Sequence, residues 1–210
     1  MNILILLGAA MALIYGVWFC WRTESWPRSL IKTAAVVLPA IALGHAGLPG
    51  LALAGLWACA LGDFLLSRPG ESILKAGIGA FALGHVLYVL AFVTVLPVGA
   101  PDLLFWGVAA ALIGLGLSTE RWLAPHTGEL RGVVRGYVVL ILAMGVAAAL
   151  PWEGRGWVLA GALCFVASDL ILSTQLFLGR SSRLGAHAIW ALYWGAQALI
   201  MTGFYVFAAP

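Results

Sequence analysis

Charge is what this sequence has least of. Asp, Glu, Lys and Arg make up 9% of its 210 residues, against roughly a quarter in a soluble domain, which excludes an ordinary water-facing surface. Cysteine is scarce too. Cys20, Cys59 and Cys164 each fall in an apolar run, which argues against a disulfide framework and for small buried hydrophobes. His45, His85, His126 and His187 have no histidine partner at helical spacing, and neither CxxC nor HExxH occurs; no metal site is predicted. The chain also lacks a Walker A loop, a GxSxG elbow and a dinucleotide fingerprint, so nucleotide-driven and serine-hydrolase chemistry lose their motifs and no cofactor is predicted. A pI near 9.0 could suggest nucleic acid, but the eleven Lys and Arg are scattered through loops without a basic stripe, and no nucleic-acid partner is expected.

Apolar length is what the chain has in abundance. It is 63% hydrophobic with a mean hydropathy of +1.05. At about 20 residues per crossing, this reads as an all-α integral membrane protein of eight transmembrane helices. The predicted spans are 3–21, 30–47, 51–67, 73–96, 102–119, 133–150, 157–177 and 186–207, a single transmembrane domain over 1–210 without a separate soluble part. Proline and glycine punctuate the gaps, as at Pro49-Gly50, Arg68-Pro69-Gly70 and Pro151 to Gly156. The N-terminus lacks a positive region, so a first spanning helix is expected rather than a cleaved signal.

Loop charge predicts orientation. Arg22, Arg28, Lys32, Arg68, Lys75, Arg121, Arg131, Arg135, Arg180 and Arg183 fall in or beside the odd loops, while the even loops carry only Arg155. The positive-inside rule puts the odd loops in the cytoplasm and both termini on the non-cytoplasmic side, in the inner (plasma) membrane of a bacterium. Most tryptophans lie near predicted helix ends, where amphipathic rings suit the interface. Trp190 and Trp194 lie deeper and are expected to pack.

Within these apolar spans stand two aspartates, Asp63 and Asp169. A carboxylate at a helix centre costs roughly 2.5–3.5 kcal/mol on insertion scales and usually faces a bundle interior or a water-filled cavity. Their surroundings match: LAGLWACALGDFLLS over 53–67 and LAGALCFVASDLILS over 159–173 share six of fifteen positions. Leu87-Tyr88 and Leu192-Tyr193 follow at nearly the same offset. The pattern predicts two parallel four-helix repeats, helices 1–4 and 5–8, over 1–100 and 101–210, with a site where the halves meet. If the aspartates face one another, desolvation and like-charge repulsion work against both being ionised, so one can be an acid while the other stays a carboxylate. A structural hydrogen-bonded clamp between helices is the alternative reading.

Other polar residues are positioned to assist. His85 and Tyr88 share one face of helix four, and Tyr193 and Gln197 one face of helix eight; each is a candidate substrate contact or support for the aspartates. Lys32 begins helix two, where snorkelling to lipid phosphate is the ordinary reading and headgroup recognition or support for the site the functional one, so it joins the candidates. Ser67, Ser168, Ser173 and Thr174 are expected to bond carbonyls of their own helices.

The string Gly62-Asp63-Phe64-Leu65-Leu66, then Phe81-Ala82-Leu83-Gly84-His85-Val86-Leu87-Tyr88, then Ser168-Asp169 and Tyr193 with Gln197, resembles the YhhN/lysoplasmalogenase family of eight-helix membrane proteins. Lys32 departs from that family's lysine-proline pair, since Thr33 follows it. The resemblance implies hydrolysis of the sn-1 vinyl ether of a lysoplasmalogen, a lysophospholipid taken from the bilayer, to a fatty aldehyde and glycerophospho-ethanolamine or -choline. Vinyl ethers are hydrolysed by protonation of the outer alkene carbon, which gives an oxocarbenium ion. Two inequivalent carboxyls can supply the acid and the counter-charge, as glycosidases do at their own oxocarbenium-like transition states. Asp63 and Asp169 are the candidates, in either order. The rival reading is a proton- or cation-coupled lipid or small-molecule transporter, since paired intramembrane aspartates in repeated halves suit a carrier as well. Against it, Pro39 in helix two has no proline counterpart in helix six.

Overall fold

A computed structural model describes residues 2–208. Among the described residues the chain forms eight α-helices and no strand: α1 (Ile3–Ile14), α2 (Trp26–His45), α3 (Gly50–Leu66), α4 (Glu71–Thr94), α5 (Leu103–Trp122), α6 (Arg131–Ala148), α7 (Arg155–Phe177) and α8 (Arg183–Ala208). α1 continues as a π-helical turn over Tyr15–Phe19, closed by the Cys20 N–H on the Tyr15 carbonyl at 2.9 Å. Six helices are long and apolar enough to cross a membrane; Ile3–Phe19 and Gly50–Leu66 are shorter apolar helices. At 17 residues, α3 is about 25 Å long, slightly less than a typical hydrocarbon core.

The helix boundaries differ from the predicted ones where caps intervene. α2 starts at Trp26 rather than 30 because Ser25 accepts the Arg28 N–H and Pro27 occupies the first turn, where its missing N–H costs nothing. α5 starts behind Asp102, whose side chain accepts the Phe105 N–H at 2.9 Å, and runs on to Trp122.

Close packing follows from the glycines of the matched segments. A Cβ on Gly55 would lie 2.6 Å from the Tyr88 ring, and one on Gly161 would lie 2.8 Å from the Ala196 carbonyl oxygen. α3 therefore sits tightly on α4, and α7 on α8. α2 packs between α1 and α3, while α6 touches α4, α5 and α7. Phe81, Phe165 and Tyr193 meet edge to face in the centre. Outward, Leu13, Leu61, Leu117 and Val139 are exposed, as side chains facing lipid should be.

Loops gather at two ends. At one, Ser29 donates to the Ser67 carbonyl at 3.2 Å, the Arg68 guanidinium lies 4.0 Å from the Trp26 ring centroid and that of Arg183 lies 6.0 Å from Trp21. The first, third and seventh loops thus meet. At the other end the Gly99 N–H bonds the Pro151 carbonyl at 2.7 Å, and Arg155 pairs with Asp102 at 2.6 Å. Arg155, the lone even-loop cation, is neutralised by its neighbour.

Candidate functional site

Both intramembrane aspartates line one cavity of about 260 Å³. Its walls are largely apolar, from Leu74 and Ile78 of α4, Ile141 and Leu142 of α6 and Leu172 and Leu176 of α7. Charges in such surroundings interact far more strongly than in water.

Asp63, near the end of α3, is fully buried. Lys32 Nζ lies 2.9 Å from its Oδ1, and Tyr193 Oη donates to its Oδ2 at 2.5 Å. Asp169, on α7, keeps some exposure to the cavity, 14% of its side chain. Tyr137 Oη donates to its Oδ2, and His85 Nε2 lies 3.0 Å from Tyr137 Oη and 3.9 Å from Asp169 Oδ2. Because the single Tyr137 hydrogen goes to the carboxylate, His85 Nε2 must be the donor to Tyr137 Oη. His85 sits behind this chain, fully buried against the Phe165 ring, and does not line the cavity. The two carboxyl groups are therefore inequivalent: one carries a fixed ammonium partner, the other a tyrosine hydroxyl with an imidazole behind it.

The partners come in a crossed pattern. Asp63 of α3 takes Lys32 from α2, the helix before its own, and Asp169 of α7 takes Tyr137 from α6, the helix before its own. Asp63 also accepts from Tyr193 of α8, while His85 of α4 stands behind Tyr137, 3.9 Å from Asp169.

Of the residues singled out in the sequence, the fold brings Lys32, Asp63, Tyr193, Asp169 and His85 together. Tyr88 and Gln197 lie elsewhere. Tyr88 Oη donates to Gln197 Oε1 at 2.5 Å, and Gln197 lines a second cavity of about 280 Å³ with Pro39 and Trp194. One turn of α8 thus separates Tyr193 on the aspartate from Gln197 on Tyr88. Lys32 is engaged by Asp63 rather than snorkelling to the lipid surface. Ser168 also departs from expectation: its hydroxyl donates to the Ile189 carbonyl of α8 at 3.1 Å, whereas Ser67, Ser173 and Thr174 do bond carbonyls of their own helices. Trp190 packs as expected and also lines the aspartate cavity, donating to the Ala12 carbonyl at 2.9 Å.

Sequence reasoning missed Tyr137, Tyr15, Cys20 and Arg28, all of which line the cavity. The spacing contained a signal for the first: Lys32 precedes Asp63 by 31 residues and Tyr137 precedes Asp169 by 32. Among the described residues no three His, Cys, Asp or Glu side chains converge as a metal ligand set.

The model of the YhhN family matches residues 27–204. A Mycobacterium bovis protein named lysoplasmalogenase is 32% identical over 152 residues, 70% of this chain and 57% of that protein. A Mycobacterium tuberculosis protein of the same name gives the same figures. A protein of Escherichia coli O6:H1, named uncharacterized membrane protein YhhN, is 27% identical over 194 residues, 89% of this chain and 91% of its own length. The match thus spans little more than half the length of the mycobacterial relatives. No solved structure matches the chain.

Proposed function

This chain belongs to the YhhN family, and from that membership and the paired carboxyls we propose that it is a membrane-embedded hydrolase cleaving the sn-1 vinyl ether of a lysoplasmalogen. The name of the mycobacterial relatives suggests the substrate class. What carries the chemistry is the inequivalence of Asp63 and Asp169 in one apolar cavity.

In this reading Asp169 is the acid and Asp63 the counter-charge. Asp63 is the counter-ion of Lys32 and accepts a second hydrogen bond from Tyr193, so it is held as a carboxylate with little freedom to deliver a proton. Asp169 has no cation of that kind, and its Oδ1 makes no hydrogen bond among the described residues. The alkene π electrons take the Asp169 proton at the outer carbon, leaving the oxocarbenium ion to be stabilised by Asp63. Water adds to the cationic carbon and returns a proton to Asp169. The hemiacetal then collapses, its hydroxyl proton passing to the departing sn-1 oxygen, to give a fatty aldehyde and the glycerophospho-alcohol. Atoms balance with one water consumed and the acid restored.

The same reading puts the substrate in the bilayer, reaching the cavity between helices, and the site toward the cytoplasmic face of a bacterial inner membrane by the loop-charge bias. The test is aldehyde release from 1-alkenyl-glycerophosphoethanolamine by purified protein, read by mass spectrometry of the trapped aldehyde. Asp169→Asn and Asp63→Asn should each lower kcat by roughly 10²–10⁴, measured per folded molecule because Asp63→Asn also strands the Lys32 ammonium and costs stability. Full aldehyde release by both variants would remove the pair from the reaction. In proteoliposomes, solute or lipid movement without aldehyde would select the carrier reading instead.

A further inference from the structure

Arg28 is a cavity-lining cation with no anion. It stands one turn before Lys32 on the same face of α2, and both side chains line the aspartate cavity. Lys32 is taken by Asp63, but Arg28 forms no ion pair among the described residues. It is nevertheless held in place: its Nε donates to the Phe19 carbonyl at 3.2 Å, and its guanidinium carbon lies 5.6 Å from the Tyr15 ring centroid. The π-helical turn positions both contacts, since Tyr15 opens it and Phe19 closes it. Anchoring at Nε leaves the two terminal nitrogens without a hydrogen-bond partner among the described residues. A guanidinium fixed this way presents a planar fork suited to two oxygens of one phosphate.

We propose that Arg28 is the phosphate subsite of this cavity, receiving the phosphodiester oxyanion of a lysophospholipid. This rests on the lysoplasmalogenase reading for the identity of the lipid, but not for the charge it recognises. The spacing suits it. Arg28 lies about 6 Å along α2 from Lys32, toward the end where the first, third and seventh loops meet. A phosphate held there leaves the glycerol backbone to span that turn and carries the sn-1 ether to the level of the Lys32–Asp63 pair. The apolar wall from Leu74 to Leu176 is left for the chain. Arg28 is thus a specificity determinant: it sets the register of the ether against the two carboxyls and favours phosphate-bearing lipids over neutral alkenylglycerols.

The probe is a saturated ether lipid, 1-alkyl-glycero-3-phosphocholine, which has no vinyl ether to hydrolyse, compared with the matching 1-alkylglycerol. Binding to purified protein is read by native mass spectrometry. Wild type should prefer the phospholipid by tenfold or more, Arg28→Gln should lose that preference while still binding 1-alkylglycerol, and Arg28→Lys should fall between, keeping charge without the fork. Retained 1-alkylglycerol binding certifies that the glutamine variant is folded. An unchanged preference in Arg28→Gln, or equal weakening of both lipids in Arg28→Lys, overturns the proposal. Competition separates the sources of phosphate: glycerophosphocholine should displace the ether lipid better than inorganic phosphate does, and the reverse would assign the site to free phosphate. Because the probe is not turned over, absence of aldehyde release by wild type would defeat the enzyme reading and leave this result standing.

Discussion

Lys32 and Asp63 form a buried pair whose two charges each lose several kcal/mol of hydration in the bundle, offset by their mutual attraction and the Tyr193 hydroxyl. Removing one partner is therefore worse than removing both. Lys32→Met should destabilise the protein by about 3–5 kcal/mol, because it strands a carboxylate, whereas Lys32→Met with Asp63→Leu should recover most of that loss. Thermal unfolding in detergent across the double-mutant cycle measures it; equal stability of the single and double variants would mean that the pair is not coupled. Activity should not return with stability, since the double variant lacks the counter-charge. Tyr137→Phe makes a contrasting case. It removes a hydroxyl that acts through Asp169, so kcat and its pH profile should change while KM stays near wild type; a change confined to KM would place Tyr137 in substrate binding instead. The aspartates, His85 and Tyr193 were legible because polar groups in apolar spans need partners. Lys32 was a candidate in the sequence, but its pairing with Asp63 was not legible, because a lysine near a helix end ordinarily snorkels. Tyr137 was overlooked because a tyrosine two positions from Arg135 looks like an interfacial ring.

Helices one through eight were legible as runs of hydropathy, but their ends were set by caps, and the π-helical turn after α1 has no compositional signature. The aligned glycines Gly55 and Gly161 are explained only by the neighbouring helix. Gly161→Val should separate α7 from α8, at roughly 1–3 kcal/mol or more for overpacking, while Gly107→Ala, with nothing within 4 Å of the new methyl, should be neutral or slightly stabilising. Melting temperatures of the two variants decide, and a tolerated valine at 161 would mean that the helices can part without loss. At the opposite end, the Phe105 N–H and then Arg155 hold the Asp102 carboxyl below its ordinary range. A depressed carboxylate contributes stability that is present above its unfolded value, near pH 4, and is lost as pH falls through the folded value. The stability difference between wild type and Asp102→Asn should accordingly shrink on acidification.

Across the whole molecule the crossed pattern of partners bears on how the chain is organised. Similarity between 53–67 and 159–173 is short enough to arise by composition, but composition does not predict that Asp63 of α3 is served from α2 and α8 while Asp169 of α7 is served from α6, with α4 behind it. We infer two parallel halves, 1–100 and 101–210, that exchange a residue at the site. Neither half alone then has a complete carboxyl environment: 1–100 lacks Tyr193 for Asp63, and 101–210 lacks His85 behind Asp169. The chain divided within the loop 95–101 should consequently be inactive as either fragment and regain aldehyde release when both are co-expressed. The Asp102–Arg155 pair lies wholly within the second half and survives the cut. Replacing Tyr193 by Phe in the second fragment should then weaken the site built on Asp63 in the first, a loss across the cut that two independent halves could not show. Activity from one fragment alone would defeat the shared-site organisation, whatever the similarity of the two segments.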